Sequence, residues 1–177
     1  MLSVGSPVSF ALLCGGGVET RFCILLPVRV YLDNCCYNRP FDNQSDIIVR
    51  LEAEAVSFIQ EQIKCGKLEL VWSYIMDYEN SFNPFEDRRV SIEKWKQYAK
   101  EDIDAKDEIV EQAENLMSLN IKKKDALHIA CALHAQSQYF LTTDLKLLNK
   151  TVSGISIINP IDFLKIQGVQ DGNGHND

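Results

Sequence analysis

The chain has 177 residues, 46% of them hydrophobic and 24% charged, with a formal net charge of −7. That size and balance suit one globular domain with a sizeable core and exclude a fibrous or wholly disordered chain. The acidic excess excludes binding of nucleic acid by bulk charge, while leaving room for a local basic rim. Six cysteines are present, none in a C-x-x-C pair, so neither a zinc site nor a thioredoxin-like motif is expected. Reduced thiols in a cytoplasmic protein are the simplest expectation.

Residues 1–27 are rich in glycine and small residues and differ in character from the rest of the chain. The apolar stretch 8–14 has no Lys or Arg before it, so it does not read as a secretory signal. It is also too short to span a membrane. The expectation is a leader, non-native or poorly ordered, with the native start close to Val28 at an alternative initiation codon. Val28–Leu32 then forms an apolar strand that ends on Asp33. In open α/β sheets ligands bind beyond the carboxyl ends of strands, so a carboxylate delivered there is a candidate site residue.

Residues 34–43 are polar, with Asn38-Arg39-Pro40 as a turn signal. Ser45 as N-cap and Asp46 in the first turn start a long amphipathic helix over 46–65. It carries Ile47, Ile48, Leu51, Ala55, Phe58, Ile59 and Ile63, and Gly66 stops it. A strand over 68–72 leads into a helix capped by Ser73, with Tyr74, Ile75, Tyr78, Glu79 and Phe82, ending before Pro84. Further helices are predicted over 88–103 and 104–120.

Lys122-Lys123-Lys124-Asp125 opens the segment 126–135, which is so uniformly small and apolar that it reads as a buried helix. A strand over 139–142 ends on Thr143-Asp144, and a short helix comes next over 145–149. The last strand is 155–158 and a final helical turn or two covers 161–166. Residues 167–177 read as a disordered tail. Continuous apolar strands alternating with helices predict an α/β fold, a three-layer α/β/α sandwich on a mostly parallel central sheet, in one domain spanning 28–166.

Four carboxylates fall at strand ends or beside apolar helices: Asp33, Glu79, Asp125 and Asp144. Each has a plain structural explanation. Asp125 favours its helix N-terminus, Asp144 serves as an N-cap, and Glu79 lies on a solvent face with Asp77 as an alternative two positions earlier. Brought to one sheet edge, however, they repel one another, and desolvation adds to the cost. A hard cation offsets that cost, and Mg²⁺ or Mn²⁺ prefers oxygen ligands. Such a cation activates a water and neutralises charge growing on a phosphate.

The segments Val30-Tyr31-Leu32-Asp33-Asn34, the Ser73…Glu79 helix, Lys124-Asp125-Ala126-Leu127-His128-Ile129-Ala130 and Phe140-Leu141-Thr142-Thr143-Asp144 together resemble the PIN-domain family. Its members are metal-dependent ribonucleases, and many are toxin halves of VapBC-type toxin–antitoxin pairs. The resemblance implies a PIN-like fold and an acidic metal site of Asp33, Glu79, Asp125 and Asp144, with Asn34 and Thr143 as polar support. It implies Mg²⁺ or Mn²⁺ as cofactor, RNA as substrate, and cleavage leaving 5′-phosphate and 3′-hydroxyl ends. A cognate antitoxin and a homodimer are implied as partners, with no membrane association.

The departures are the leader, extra length over 83–104, and the acidity. Lys122, Lys123 and Lys124 are candidates for RNA phosphate contact, or else a solvated loop. Arg88, Arg89, Lys94, Lys96 and Lys100 form either a basic rim or a solvated helix face. His128 is expected to be a packed histidine with a hydrogen-bond partner rather than a catalytic base. Cys35 and Cys36 are not expected to act as nucleophiles, because no histidine is placed to activate a thiol. Two other function classes stay open: a catalytically silent PIN-like interaction module, and a receiver-like domain phosphorylated at Asp33.

Overall fold

Val30, Tyr31 and Leu32 are shielded on both faces, which is why the first strand reads as an unbroken apolar run. The computed structural model describes residues 27–172. The strands are β1 (Val28–Leu32), β2 (Leu68–Ser73), β3 (Ala99–Ile103), β4 (Tyr139–Leu141) and β5 (Ser156–Ile158). They form one sheet in the order β3-β2-β1-β4-β5, and every neighbouring pair is parallel. Helices flank the sheet and complete a three-layer α/β/α arrangement. α2 (Ile47–Lys64) packs on α8 (Pro160–Gly172), and α5 (Asp107–Met117) packs on α6 (Lys123–His134). The shorter helices are α1 (Asn34–Asn38), α3 (Tyr74–Ser81), α4 (Glu86–Glu93) and α7 (Leu145–Leu148). None of the helices among the described residues is long and apolar enough to cross a membrane.

The strand order reverses beside β1: β2 and β3 extend the sheet one way, β4 and β5 the other. The gap beyond the carboxyl ends of β1 and β4 is therefore the topological switch point, where such sheets bind ligands. Asp33 comes directly after β1, and its N–H donates to Leu141 O at 2.9 Å, so the two strand ends are tied together at the mouth of this gap.

Several boundaries differ from expectation. Asp46, not Ser45, caps α2, accepting the N–H groups of Ile48 and Val49 at 2.8 and 3.4 Å. Gly66 ends that helix with φ +72°, a conformation that costs glycine little. α2 turns Val56, Ile59 and Ile63 to the core and leaves Ile47, Ile48, Leu51 and Phe58 exposed. The helix expected over 88–103 is three elements: α4, a 3₁₀ turn over Lys94–Tyr98, and the edge strand β3. Of β3 only Ile103 is buried, so the strand carries almost no apolar signal. Cross-strand pairing supports it instead. Arg29 on β1 reaches Glu69 on β2 at 3.1 Å and Glu101 on β3 at 2.8 Å. α8 continues to Gly172, past the point where the tail was expected to lose structure, with Phe163 fully buried against the ring of Tyr139. The leader expected before Val28 lies, Pro27 apart, outside the described residues, as do residues 173–177.

Candidate functional site

The end of β1 supplies Asp33, the start of the next crossover supplies Glu79 on α3, and α6 supplies Asp125 and His128 one turn apart on one face. One ligand atom each from Asp33, Glu79 and His128 lies within 4.8 Å of the others. Asp33 and His128 are buried, and Glu79 is partly so. Asp125 and Asp144 stand outside this tight group, in the first turn of α6 and at the N-cap of α7. Asp144 accepts Lys146 N–H at 2.7 Å, so its plain structural role is realised. Its charge still acts on Asp125.

Asp77 faces elsewhere. It accepts Trp72 Nε1–H at 2.8 Å and pairs with Lys96 at 2.7 Å. Lys96 also pairs with Asp102, and Arg88 donates to Phe41 O while covering the Phe85 ring. Much of the expected basic rim is thus engaged in internal contacts.

Thr142 is the polar partner of Asp33, its Oγ1 donating to Oδ2 at 2.7 Å while accepting Asp144 N–H at 3.1 Å. Thr143, the residue expected in support, has a buried hydroxyl with no hydrogen-bond partner among the described residues. Asn34 accepts from Asn38 within its own helix rather than touching the carboxylates. His128 is packed and hydrogen-bonded as expected, and one of its partners is Glu79, Nε2 to Oε2 at 3.1 Å. The sequence pattern missed it as part of the site. Its spacing of three from Asp125 on an apolar helix was the available signal.

The electrostatics differ among the carboxylates. Burial, then the neighbouring Cys35 sulfur, pushes Asp33 well above the ordinary aspartate range. Burial and then the charge of Asp144 raise Asp125. Burial works to raise Glu79 too, but His128 and Lys124 outweigh it and hold that carboxyl below its usual value. Lys124 Nζ is 3.3 Å from Glu79 Oε1. The Cys35 thiol is pulled down to about 5, first by a hydrogen bond from Cys36 and then, against burial, by Thr142 and Thr143. Cys35 Sγ sits 3.2 Å from Asp33 Oδ2, so the two groups titrate as a coupled pair.

The donor set fits a divalent cation. Asp33 and Glu79 offer carboxylate oxygens, the His128 imidazole stands beside them bonded to Glu79, and an orphaned buried hydroxyl, Thr143 Oγ1, stands just after β4. Beside Asp125 a cleft of about 380 Å³ opens, lined by Asn120, Lys122, Lys146, Asn149 and Lys150 among others.

Among the solved structures similar to this chain is VapBC2 from Rickettsia felis bound to a DNA fragment from their promoter, with a TM-score of 0.47 and 14% identity, covering 75% of this chain and 98% of that one. That degree of likeness decides nothing about chemistry. No family model matches the chain, and no curated protein does.

Proposed function

We propose that the protein is a Mg²⁺- or Mn²⁺-dependent endoribonuclease of the PIN type, the toxin of a toxin–antitoxin pair acting in the cytoplasm. One observation supports this above the rest. Asp33 and Glu79, from segments far apart in sequence, meet with His128 within 4.8 Å at the switch point of the sheet. A divalent cation there supplies a water acidic enough to act as nucleophile and positive charge opposite the growing charge on phosphate. Asp33 and Glu79 would hold it, with Asp125 and Asp144 completing the acidic set directly or through water.

The remaining residues position substrate. Lys122, Lys146 and Lys150 border the cleft beside Asp125 and would hold the phosphates flanking the scissile bond. Lys123 and Lys124 border the opposite approach, with Tyr74 and Tyr78. On this view the partners are single-stranded RNA, a cognate antitoxin and a second copy of the chain. The exposed Ile47, Ile48, Leu51 and Phe58 on α2 supply the kind of surface a protein partner covers.

The test is cleavage of single-stranded RNA with and without Mn²⁺. Asp33→Asn and Asp144→Asn should each abolish metal-stimulated cleavage while leaving the circular dichroism spectrum unchanged. Full cleavage by either variant removes that residue from the mechanism. Failure of the parent protein to bind Mn²⁺ favours the silent interaction module, and a covalent adduct at Asp33 from a small phosphodonor favours the receiver.

A further inference from the structure

We propose that His128 is the positioning residue of the acidic site: a buried hydrogen-bond chain, Ser73–Tyr31–His128–Glu79, sets where Glu79 stands relative to Asp33 and thereby how tightly a divalent cation is held. This rests on the metal-dependent reading of the site and adds a determinant that reading does not contain.

The chain of contacts is continuous. Ser73 Oγ and Tyr31 Oη are 2.5 Å apart, Tyr31 Oη and His128 Nδ1 are 2.7 Å apart, and His128 Nε2 lies 3.1 Å from Glu79 Oε2. Ser73, Tyr31 and His128 are each at most 1% exposed. The end group sets the direction of the bonds. An ionised carboxylate only accepts, so Nε2 carries the hydrogen. In a neutral ring Nδ1 then accepts from Tyr31, and Tyr31 accepts from Ser73. Every donor points towards Glu79.

Packing alone does not call for these hydroxyls. The Tyr31 ring stacks on Phe140 at 5.3 Å between centroids, a contact phenylalanine would keep. Ser73 occupies the N-cap of α3, yet its side chain makes no cap bond and is engaged with Tyr31 instead. Buried polar groups of this kind are costly unless fully satisfied, and this chain of bonds satisfies them at the end facing Glu79.

The path also has a geometric meaning. Tyr31 is two residues before Asp33, so both project to the same side of the extended chain. His128 therefore braces the strand that carries Asp33 against the helix that carries Glu79. Lys124 holds the other oxygen of Glu79, but its side chain is 57% exposed, so that pair is weak and easily exchanged. Glu79 would exchange Lys124 for a bound cation and keep its His128 bond, since a carboxylate has lone pairs for both.

The experiment is Mn²⁺ titration of the metal-free protein by calorimetry, with imidazole ¹⁵N spectra of the metal-free samples. His128→Leu should weaken Mn²⁺ binding by about 10- to 100-fold, the usual loss when the group orienting a ligand is removed. His128→Gln, which keeps an N–H donor within reach of Glu79, should restore most of it. Tyr31→Phe, nearly isosteric, should give a smaller loss and shift the Nδ1 resonance of a ring that is Nε2–H in the parent. Binding by both His128→Leu and Tyr31→Phe within about twofold of the parent overturns the proposal while leaving the nuclease reading intact. Equal losses in His128→Leu and His128→Gln also overturn it, since packing then explains the effect. Should His128→Leu not fold, Tyr31→Phe decides. A parent protein that binds no Mn²⁺ overturns both.

Discussion

Thr142 donates to Asp33 across the gap between β4 and β1, Oγ1 to Oδ2 at 2.7 Å. Thr142 is fully buried, and the same hydroxyl receives Asp144 N–H. One side chain thus aligns two of the four carboxylates. Thr142→Val keeps the shape and removes both bonds. It should destabilise the protein by about 1–3 kcal/mol in urea unfolding, because the buried Asp33 carboxyl loses its hydroxyl donor and the Asp144 N–H loses its acceptor. A variant as stable as the parent would show that water replaces the hydroxyl at no cost.

The coupling of Asp33 to Cys35 predicts a stability profile. Below the ordinary aspartate pKa of about 3.9, folded and unfolded chains both carry the Asp33 proton. As pH rises from there to about 5, the unfolded chain releases it and the folded site, with Asp33 raised, does not. The folded state then binds one more proton, so stability falls with pH, by about 1.4 kcal/mol per unit. Above about 5 the folded Cys35 ionises while the unfolded thiol stays protonated, the proton counts match, and the decline stops. Denaturant melts of metal-free parent and Asp33→Asn, compared across pH 4–8, check this. A decline through pH 4–5 that persists in Asp33→Asn belongs to other groups.

The lysines at the cleft predict a salt effect. If Lys122, Lys146 and Lys150 hold backbone phosphate, each alanine variant should weaken binding of single-stranded RNA. Each should also flatten the plot of log affinity against log salt by about 0.7 for every phosphate no longer engaged. KM should rise more than kcat falls, the mark of weakened uniform binding. Lys100→Ala, an exposed position on the edge strand β3, should leave the slope unchanged.

A second charged cluster predicts a purely structural loss. Glu52 is buried, with Arg39 Nε at 2.9 Å and Asn159 Nδ2 donating at 2.6 Å. Arg39→Met strands that carboxylate and should cost about 3–5 kcal/mol in thermal or urea unfolding. The double variant with Glu52→Gln should recover part of the loss, and metal binding per folded molecule should not change in either.

Much of this architecture is written in local pattern. β1, β2 and β4 are apolar runs because they are covered on both faces, and α6 is apolar because it is packed between the sheet and α5. β3 is illegible for the opposite reason. An edge strand of Ala, Lys, Glu, Asp and Ile is specified by its neighbours: β2 offers an open edge, and Arg29 reaches across to Glu101. The carboxylates were legible by position, since a strand end or a helix start says where a residue sits. What holds them was not. Thr142 and Thr143 are adjacent, and only the register after β4 settles which one faces Asp33. His128 needed the rotation of α6 about its axis, which a helix apolar on nearly every side does not reveal.

The order of assembly has a consequence for when chemistry begins. β1 is made before its two sheet partners, β2 and β4, and Asp33 finds Thr142 only after more than a hundred intervening residues have been made. A nascent or truncated chain that stops before β4 has Asp33 and Glu79 but no closed switch point to hold them. Contacts that distant form late, after the local helices. The site is therefore a product of long-range closure, and its frame is complete only once β4 has joined β1.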